Sequence, residues 1–212
     1  MLPSIILAEP QAPTAQILTR SQAATALGLS PNTVTKLLAS RFLTGLEADR
    51  VGVLARAPHV GVTHGVLPVL RTAAAGPPAD ADDDRAYIGD SAHLSDDEFL
   101  QASRRWWRCE PETIVAAGVL PVAVAGWVTG VLAVHGVDDT RRLGPQEVRH
   151  SFAATVAGRV GTLDDPATAR VLTTDPHLAD LTGQLLGARV QSAVSGGPIA
   201  YLKPRTGHRE HA

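Results

Sequence analysis

The chain has 212 residues, 44% of them apolar, and a formal net charge of -2 at pH 7. It can bury the core of one large domain or two small ones, and its charge excludes a protein that coats nucleic acid through a large positive surplus. The single cysteine excludes an internal disulfide and a zinc site built from cysteines. No apolar run reaches the roughly 18 residues of a membrane span, so we expect a cytoplasmic protein without a membrane partner.

Three prolines among small residues predict a flexible, extended arm over residues 1–16. Residues 17–60 then carry apolar positions at intervals of three and four, which predicts short helices with one buried stripe each. Thr19 or Ser21 can cap the first helix, and Gly28 ends it where the backbone needs a positive φ. The apolar positions of the first two helices are Ala23, Ala24, Leu27, Val34, Leu37 and Leu38.

The second helix begins at Ser30 and Pro31, an N-cap followed by a first-turn proline, and runs to about Ser40. A third helix is predicted from residue 46 to residue 56. Its inward-facing residues are expected to be Val51, Leu54 and Ala55. Two short helices joined by a three-residue turn that contains glycine are typical of the helix-turn-helix, a DNA-binding unit.

In a helix-turn-helix the second helix enters the major groove, while the first helix crosses the phosphate backbone. Asparagine can pair with adenine, threonine can contact a thymine methyl, and lysine or arginine can bind guanine or phosphate. We therefore expect double-stranded DNA as the partner. Candidate DNA-binding residues are Arg20, Ser30, Asn32, Thr33, Thr35, Lys36 and Arg41.

The same segment resembles the helix-turn-helix domains of the excisionase and MerR-like group. The matching positions are Leu18, Thr19, Gln22, Ala23, Ala24, Leu27, Gly28, Leu29, Ser30, Thr33, Val34, Leu37 and Leu43. The resemblance implies DNA binding through the second helix. Gln22 stands where the group usually has an acidic residue, and a third helix follows where the group has a basic β-wing.

Residues 61–83 begin with a valine-rich segment that predicts one or two short strands, and they end in an acidic, proline-containing loop. We interpret this stretch as a linker between two domains. Residues 84–202 are predicted to form a β-rich domain, and residues 203–212 a disordered tail. A short strand is expected around Tyr87 and Ile88.

Ser95 is predicted to cap a helix with an acidic first turn, and we place Arg104, Arg105 and Arg108 in its later turns. Two apolar strands joined at residues 125–126 predict a hairpin inside a sheet. A further strand is expected within residues 141–159. A helix is expected from Pro176 to Leu186, and a final strand near the end of the domain.

This second part resembles a group of small bacterial β-rich domains similar to PUA, ASCH and EVE-like barrels. The residues that carry the resemblance are Trp106, Trp107, Pro121, Val122, Val124, Gly126, Val128, Leu186, Gly187, Arg189, Val190, Gly197, Pro198, Ile199 and Tyr201. The resemblance implies recognition of nucleic acid or of a modified base. The fold class that we expect is therefore α+β, a small helix-turn-helix domain followed by a PUA-like barrel with flanking helices.

The adjacent residues Trp106 and Trp107 must point in different directions, so we expect at most one of them in the core and the other beside a pocket. Such a ring could stack on a flipped base or a ligand while nearby arginines hold its backbone. In the alternative interpretation both rings close the barrel, and the arginines pair with Asp96, Asp97 and Glu98. Candidate pocket residues are Tyr87, Arg104, Arg105, Trp106, Trp107, Arg108 and Tyr201.

We find no catalytic residues, no metal ligands and no cofactor motif. Cys109 follows Arg108, which could lower its thiol pKa, but Glu110 acts against this and a structural thiol is the simpler interpretation. The sequence favours a DNA-binding transcriptional regulator, and a homodimer, because one recognition helix reads few base pairs. The alternatives are an excisionase-like architectural factor, a nucleic-acid-processing enzyme, or a protein-interaction module that uses the aromatic pocket.

Overall fold

A computed structural model of the protein describes residues 16–79, 83–143, 147–190 and 197–204. These residues form a mixed α+β fold, as predicted, in which a curled half-barrel sheet carries six α-helices. The helices are α1 Arg20–Leu27, α2 Pro31–Ala39, α3 Ala48–Ala55, α4 Asp96–Ser103, α5 Pro111–Ala117 and α6 Pro176–Leu185. The strands are β1 Leu67–Thr72, β2 Arg105–Trp107, β3 Val119–Val124, β4 Trp127–Arg142, β5 Val148–Arg159, β6 Arg170–Val171 and β7 Ile199–Leu202.

The predicted flexible arm and disordered tail lie almost wholly outside the described residues, which begin at residue 16 and end at residue 204. None of the helices in the described part of the chain is long and apolar enough to cross a membrane.

Local capping signals determine where α1 and α2 begin. The Thr19 hydroxyl accepts a hydrogen bond from the Gln22 backbone, and the Gln22 side chain accepts one from the Thr19 backbone in return. This capping box satisfies two N–H groups that a helix N-terminus leaves unpaired. Gly28 ends α1 with a φ of 63°, and Ser30 accepts from the backbone N–H of Thr33 at the start of α2.

The third helix is two residues shorter at its start than predicted, and it packs through Val51 and Leu54, each 1% exposed. The inward placement of Ala55 was wrong. Ala55 is the last residue of α3 and its side chain is exposed. Because α3 ends at Ala55, with Arg56 as its C-cap, Leu54 is the last buried residue of the helix.

The strand order in the sheet is β2-β5-β4-β3-β1-β7, and β6 also pairs with β5. β1 runs parallel to β3, and the other pairs are antiparallel. The predicted hairpin at residues 125–126 is confirmed between β3 and β4. Ala125 and Gly126 have φ angles of 53° and 98°, the positive values of a tight hairpin turn. All six residues of β3 are buried, as expected for an inner strand.

Two predictions for residues 84–108 need correction. The helix capped by Ser95 ends at Ser103, and the chain turns into β2, so Arg105 and Arg108 do not lie in its last turns. Trp106 has a φ of 58°, which cannot continue a right-handed helix, and β2 instead pairs with β5. The strand expected around Tyr87 and Ile88 is only a single bridge between Ile88 and Gly76.

The first three helices and the sheet share one hydrophobic cluster. The buried residues of α1 to α3 pack in it together with Val124, Trp127 and Leu163 from the sheet region. Two backbone hydrogen bonds connect the same parts: Leu163 donates to Phe42 at 2.8 Å, and Ala92 donates to Ser40 at 2.9 Å. The domain boundary between residues 60 and 84 stays a prediction. The residues on either side of it share the hydrophobic cluster described above.

Candidate nucleic-acid interface

One face of α2 is polar and exposed while the other is fixed in the core. Asn32, Thr35 and Lys36 are exposed, and their spacing of three and four residues places them on one side of the helix. Val34 and Leu37, on the opposite side, are 0% exposed. The buried side holds the helix rigidly, so the polar side chains project from a fixed support.

Several of these side chains have hydrogen-bonding capacity that the protein does not use. Within the described part of the chain, no group pairs with the side chains of Asn32, Lys36, Arg20 or Arg41. The Thr35 hydroxyl donates to the Pro31 carbonyl at 3.1 Å, which leaves its lone pairs available to a donor. An external partner could therefore bind this face without breaking an internal contact.

The hydroxyls of Ser30 and Thr33 bond within the N-terminal cap of α2. The two hydroxyls lie 3.0 Å apart, and the Ser30 oxygen also accepts from the Thr33 backbone at 3.2 Å. Both residues therefore stabilise the N-terminus of α2. Of the seven predicted DNA-binding residues, these two belong to the cap, and all except the half-buried Thr33 are exposed.

A buried carboxylate ties the chain after α2 to the segment after β5. Asp164 accepts from the Thr44 backbone at 3.0 Å, from the Thr44 hydroxyl at 2.6 Å and from Arg50 at 3.1 Å. Burial acts to raise the pKa of Asp164, but the bonds from Thr44, Thr162 and Arg50 outweigh it and hold that pKa below its ordinary value. Sequence reasoning missed this group because Arg50 and Asp164 lie 114 residues apart.

Both tryptophans of the predicted aromatic pocket are buried. Trp106 and Trp107 are 6% and 8% exposed, so the expectation that at most one of them is buried was wrong. Trp107 packs in the sheet core, and its indole N–H donates to Ser103 at 2.7 Å. Trp106 is covered by Arg141, whose guanidinium carbon lies 3.6 Å from the centre of the ring. Cation–π stacking by Arg141 therefore contributes to the burial of the Trp106 ring.

The arginines near these tryptophans are mostly paired, although not with the acidic first turn of α4. Arg104 contacts Asp138 at 2.8 Å and Arg105 contacts Asp84 at 3.3 Å. Arg108 is exposed, and Tyr87 is half-buried. The Tyr201 hydroxyl, on β7, accepts from the Glu110 backbone at 2.7 Å.

Two cavities lie elsewhere, and none of the predicted pocket residues lines either of them. The larger, of about 1110 Å³, is open and lies between residues 58–67, α5 and α6. The smaller, of about 390 Å³, lies between the end of α3 and the segment that follows β5.

Burial raises the pKa of the Cys109 thiol to about 12, with a further contribution from Glu110. The suggestion that Arg108 lowers the pKa of the Cys109 thiol is therefore wrong. We expect iodoacetamide to alkylate Cys109 in the folded protein at pH 8 at least a hundredfold more slowly than in the urea-unfolded chain, because the thiolate is the reactive form. The folded-state rate should rise tenfold per pH unit up to pH 10. Equal rates in both states would contradict a raised pKa of the half-buried Cys109 thiol.

Compared with known proteins, the chain matches no family model, no curated protein and no solved structure.

Proposed function

We propose that this chain is a sequence-specific DNA-binding protein, acting as a transcriptional regulator, that reads the major groove with α2 of a helix-turn-helix formed by α1 and α2. One observation carries the proposal. Asn32 and Lys36, which have no partner among the described residues, project with Thr35, whose hydroxyl bonds only with the Pro31 carbonyl, from the exposed side of a helix whose opposite side is fully buried. A recognition helix needs this combination of free polar groups and rigid support.

Each side chain suits a distinct contact. The Asn32 amide can donate to and accept from adenine, which would specify one base pair. Thr35 can contact a thymine methyl or a phosphate oxygen, and Lys36 can bind guanine or phosphate. Arg20 begins α1, the helix that crosses the backbone in such a unit, and Arg41 follows α2, so both are suited to phosphates.

A nine-residue helix contacts only a few base pairs, so useful specificity favours a homodimer on two half-sites. We further propose that the half-barrel is a PUA-like domain that senses a modified base, a ligand or a partner. The support for this part is the sequence resemblance together with the curled sheet. We also propose that the protein acts in the cytoplasm, which the single cysteine favours.

The salt dependence of DNA binding tests the proposed contact between Lys36 and the DNA. We expect Lys36→Ala to weaken binding to a duplex of randomised sequence and to reduce the slope of log K against log salt by about 0.9, because one counterion fewer is released. Arg142→Ala is the matched control, since Arg142 is exposed and unpaired within the described residues but lies on β4.

Fluorescence anisotropy at four salt concentrations measures the slope. Equal slopes for the wild type and Lys36→Ala would contradict the proposal. Slopes reduced by Arg142→Ala alone would place the DNA on β4 instead. Absence of binding at low salt would favour a protein-interaction module.

A further inference from the structure

The cavity of about 390 Å³ is lined by three segments of the chain, the last of which is Leu186 and Gly187 after α6. One wall is the end of α3, with Val53 and the following residues Ala57 and Pro58. The facing wall includes Val160 and Leu163, which belong to the core cluster shared by the helices and the sheet. The volume falls within the roughly 300 to 1,000 Å³ range typical of small-molecule sites.

The lining is apolar except at two positions. Nine of its eleven residues are apolar, and the exceptions are Arg56 and Thr162. The Thr162 backbone bonds with Thr168, and its side chain bonds with Asp164. Arg56 is a lining residue whose side chain is exposed, with one guanidinium nitrogen beside Gly52 of α3, and no described residue forms an ion pair or hydrogen bond with that side chain. The guanidinium is thus the unused polar group of this cavity.

We infer that this cavity binds a small monocarboxylate with an apolar body, whose carboxylate pairs with Arg56. An arginine can bind a carboxylate through two parallel N–H···O bonds. Burial of the apolar body of the ligand against the apolar walls adds a favourable free energy of transfer from water. A cationic ligand is disfavoured, because Arg56 would repel it. The inference is independent of DNA binding and can hold or fail separately from it.

The test uses the full chain and three probes, namely phenylacetate, indole-3-acetate and octanoate, each compared with its neutral amide. Titration calorimetry measures affinity, and ¹H–¹⁵N chemical-shift changes locate the site. We expect at least one carboxylate to bind with a Kd below about 1 mM, and its amide at least about tenfold more weakly. The shifts should centre on the backbone amides of Arg56, Ala57 and Thr162.

Arg56→Met should reduce the affinity for that carboxylate at least about tenfold, to the level of the amide, because a charge-assisted contact is lost. Ala169→Trp places a large ring at an exposed lining position and should abolish binding of both. Arg142→Met, an exposed arginine remote from the cavity lining, should leave the affinity unchanged.

Four results would overturn the inference. The first is that no carboxylate probe binds below 1 mM, and the second is that acid and amide bind equally. The third is that Arg56→Met, which changes only an exposed side chain, leaves the affinity of the carboxylate unaltered. Shift changes centred on another surface would also overturn it.

Discussion

Replacing Arg159 by Met is expected to lower the free energy of unfolding by about 3 to 5 kcal/mol at pH 7. Arg159 is 3% exposed and pairs with Asp90, 0% exposed, at 2.8 Å. The same guanidinium donates to the backbone of Leu94 at 2.6 Å and lies over the ring of Phe99. Its removal leaves a buried carboxylate without its counter-charge, which costs far more than the net stabilisation of the pair.

A double-mutant cycle, measured by urea unfolding, separates the cost of an unpaired buried carboxylate from the net stabilisation by the ion pair. Asp90→Asn combined with Arg159→Met should recover most of the loss, because no unpaired charge stays buried and the Thr129 hydroxyl, 2.6 Å from Asp90, keeps an oxygen to bond with. Additive losses in the double variant would contradict the account.

The Arg159→Met loss should also depend on pH. Burial raises the pKa of Asp90, while Arg159 and Thr129 oppose that rise, so removing Arg159 raises it further. A folded state with a raised carboxyl pKa binds a proton that the unfolded state releases, so stability falls as pH rises from about the unfolded value of 3.8. The deficit of the variant should therefore be smaller at pH 5 than at pH 7.

Replacing Trp127 by Ala is expected to cost about 3 to 5 kcal/mol, the range for removing a large buried ring. Trp127 is 0% exposed and is the largest fully buried side chain of the described residues. It packs in the cluster that joins α1 to α3 with the sheet. Removing the ring should therefore destabilise the helices and the sheet together. Far-ultraviolet circular dichroism and tryptophan fluorescence should then report the same single urea transition.

Trp127→Phe is the matched variant. The indole N–H of Trp127 is buried and has no partner among the described residues, so phenylalanine removes volume without breaking a hydrogen bond. We expect a loss of less than about half that of Trp127→Ala. Two separate transitions in Trp127→Ala, with the sheet unaffected, would show that the helices and the sheet unfold independently.

The features that the sequence predicted best are those set by neighbouring residues. Thr19, Gly28 and Ser30 act at helix ends as expected, because caps involve residues within a few positions of each other. The hairpin at residues 125–126 was also predicted correctly, because its turn depends on adjacent residues. The exposed side of α2 followed from helical periodicity alone, although Ser30 and Thr33 proved to be occupied by the cap.

The features that the sequence did not predict depend on distant residues. Arg159 and Asp90 are 69 positions apart, and no local pattern marks them as partners. The burial of both Trp106 and Trp107 was not predicted for a similar reason, because Arg141, from another strand, covers Trp106. The helix expected through Arg108 ended early because tertiary pairing of β2 with β5 overrode local propensity.

The most direct test of the account is to sequence the genomic DNA fragments that the purified protein retains at two salt concentrations, with wild type and Asn32→Ala in parallel. We expect the wild type to recover one motif that survives the higher salt, with half-sites about 10 base pairs or a multiple of that apart. Asn32→Ala should lose the preference for adenine at one position of each half-site. Retention without a shared motif, or the same motif from Asn32→Ala, would contradict DNA reading by α2.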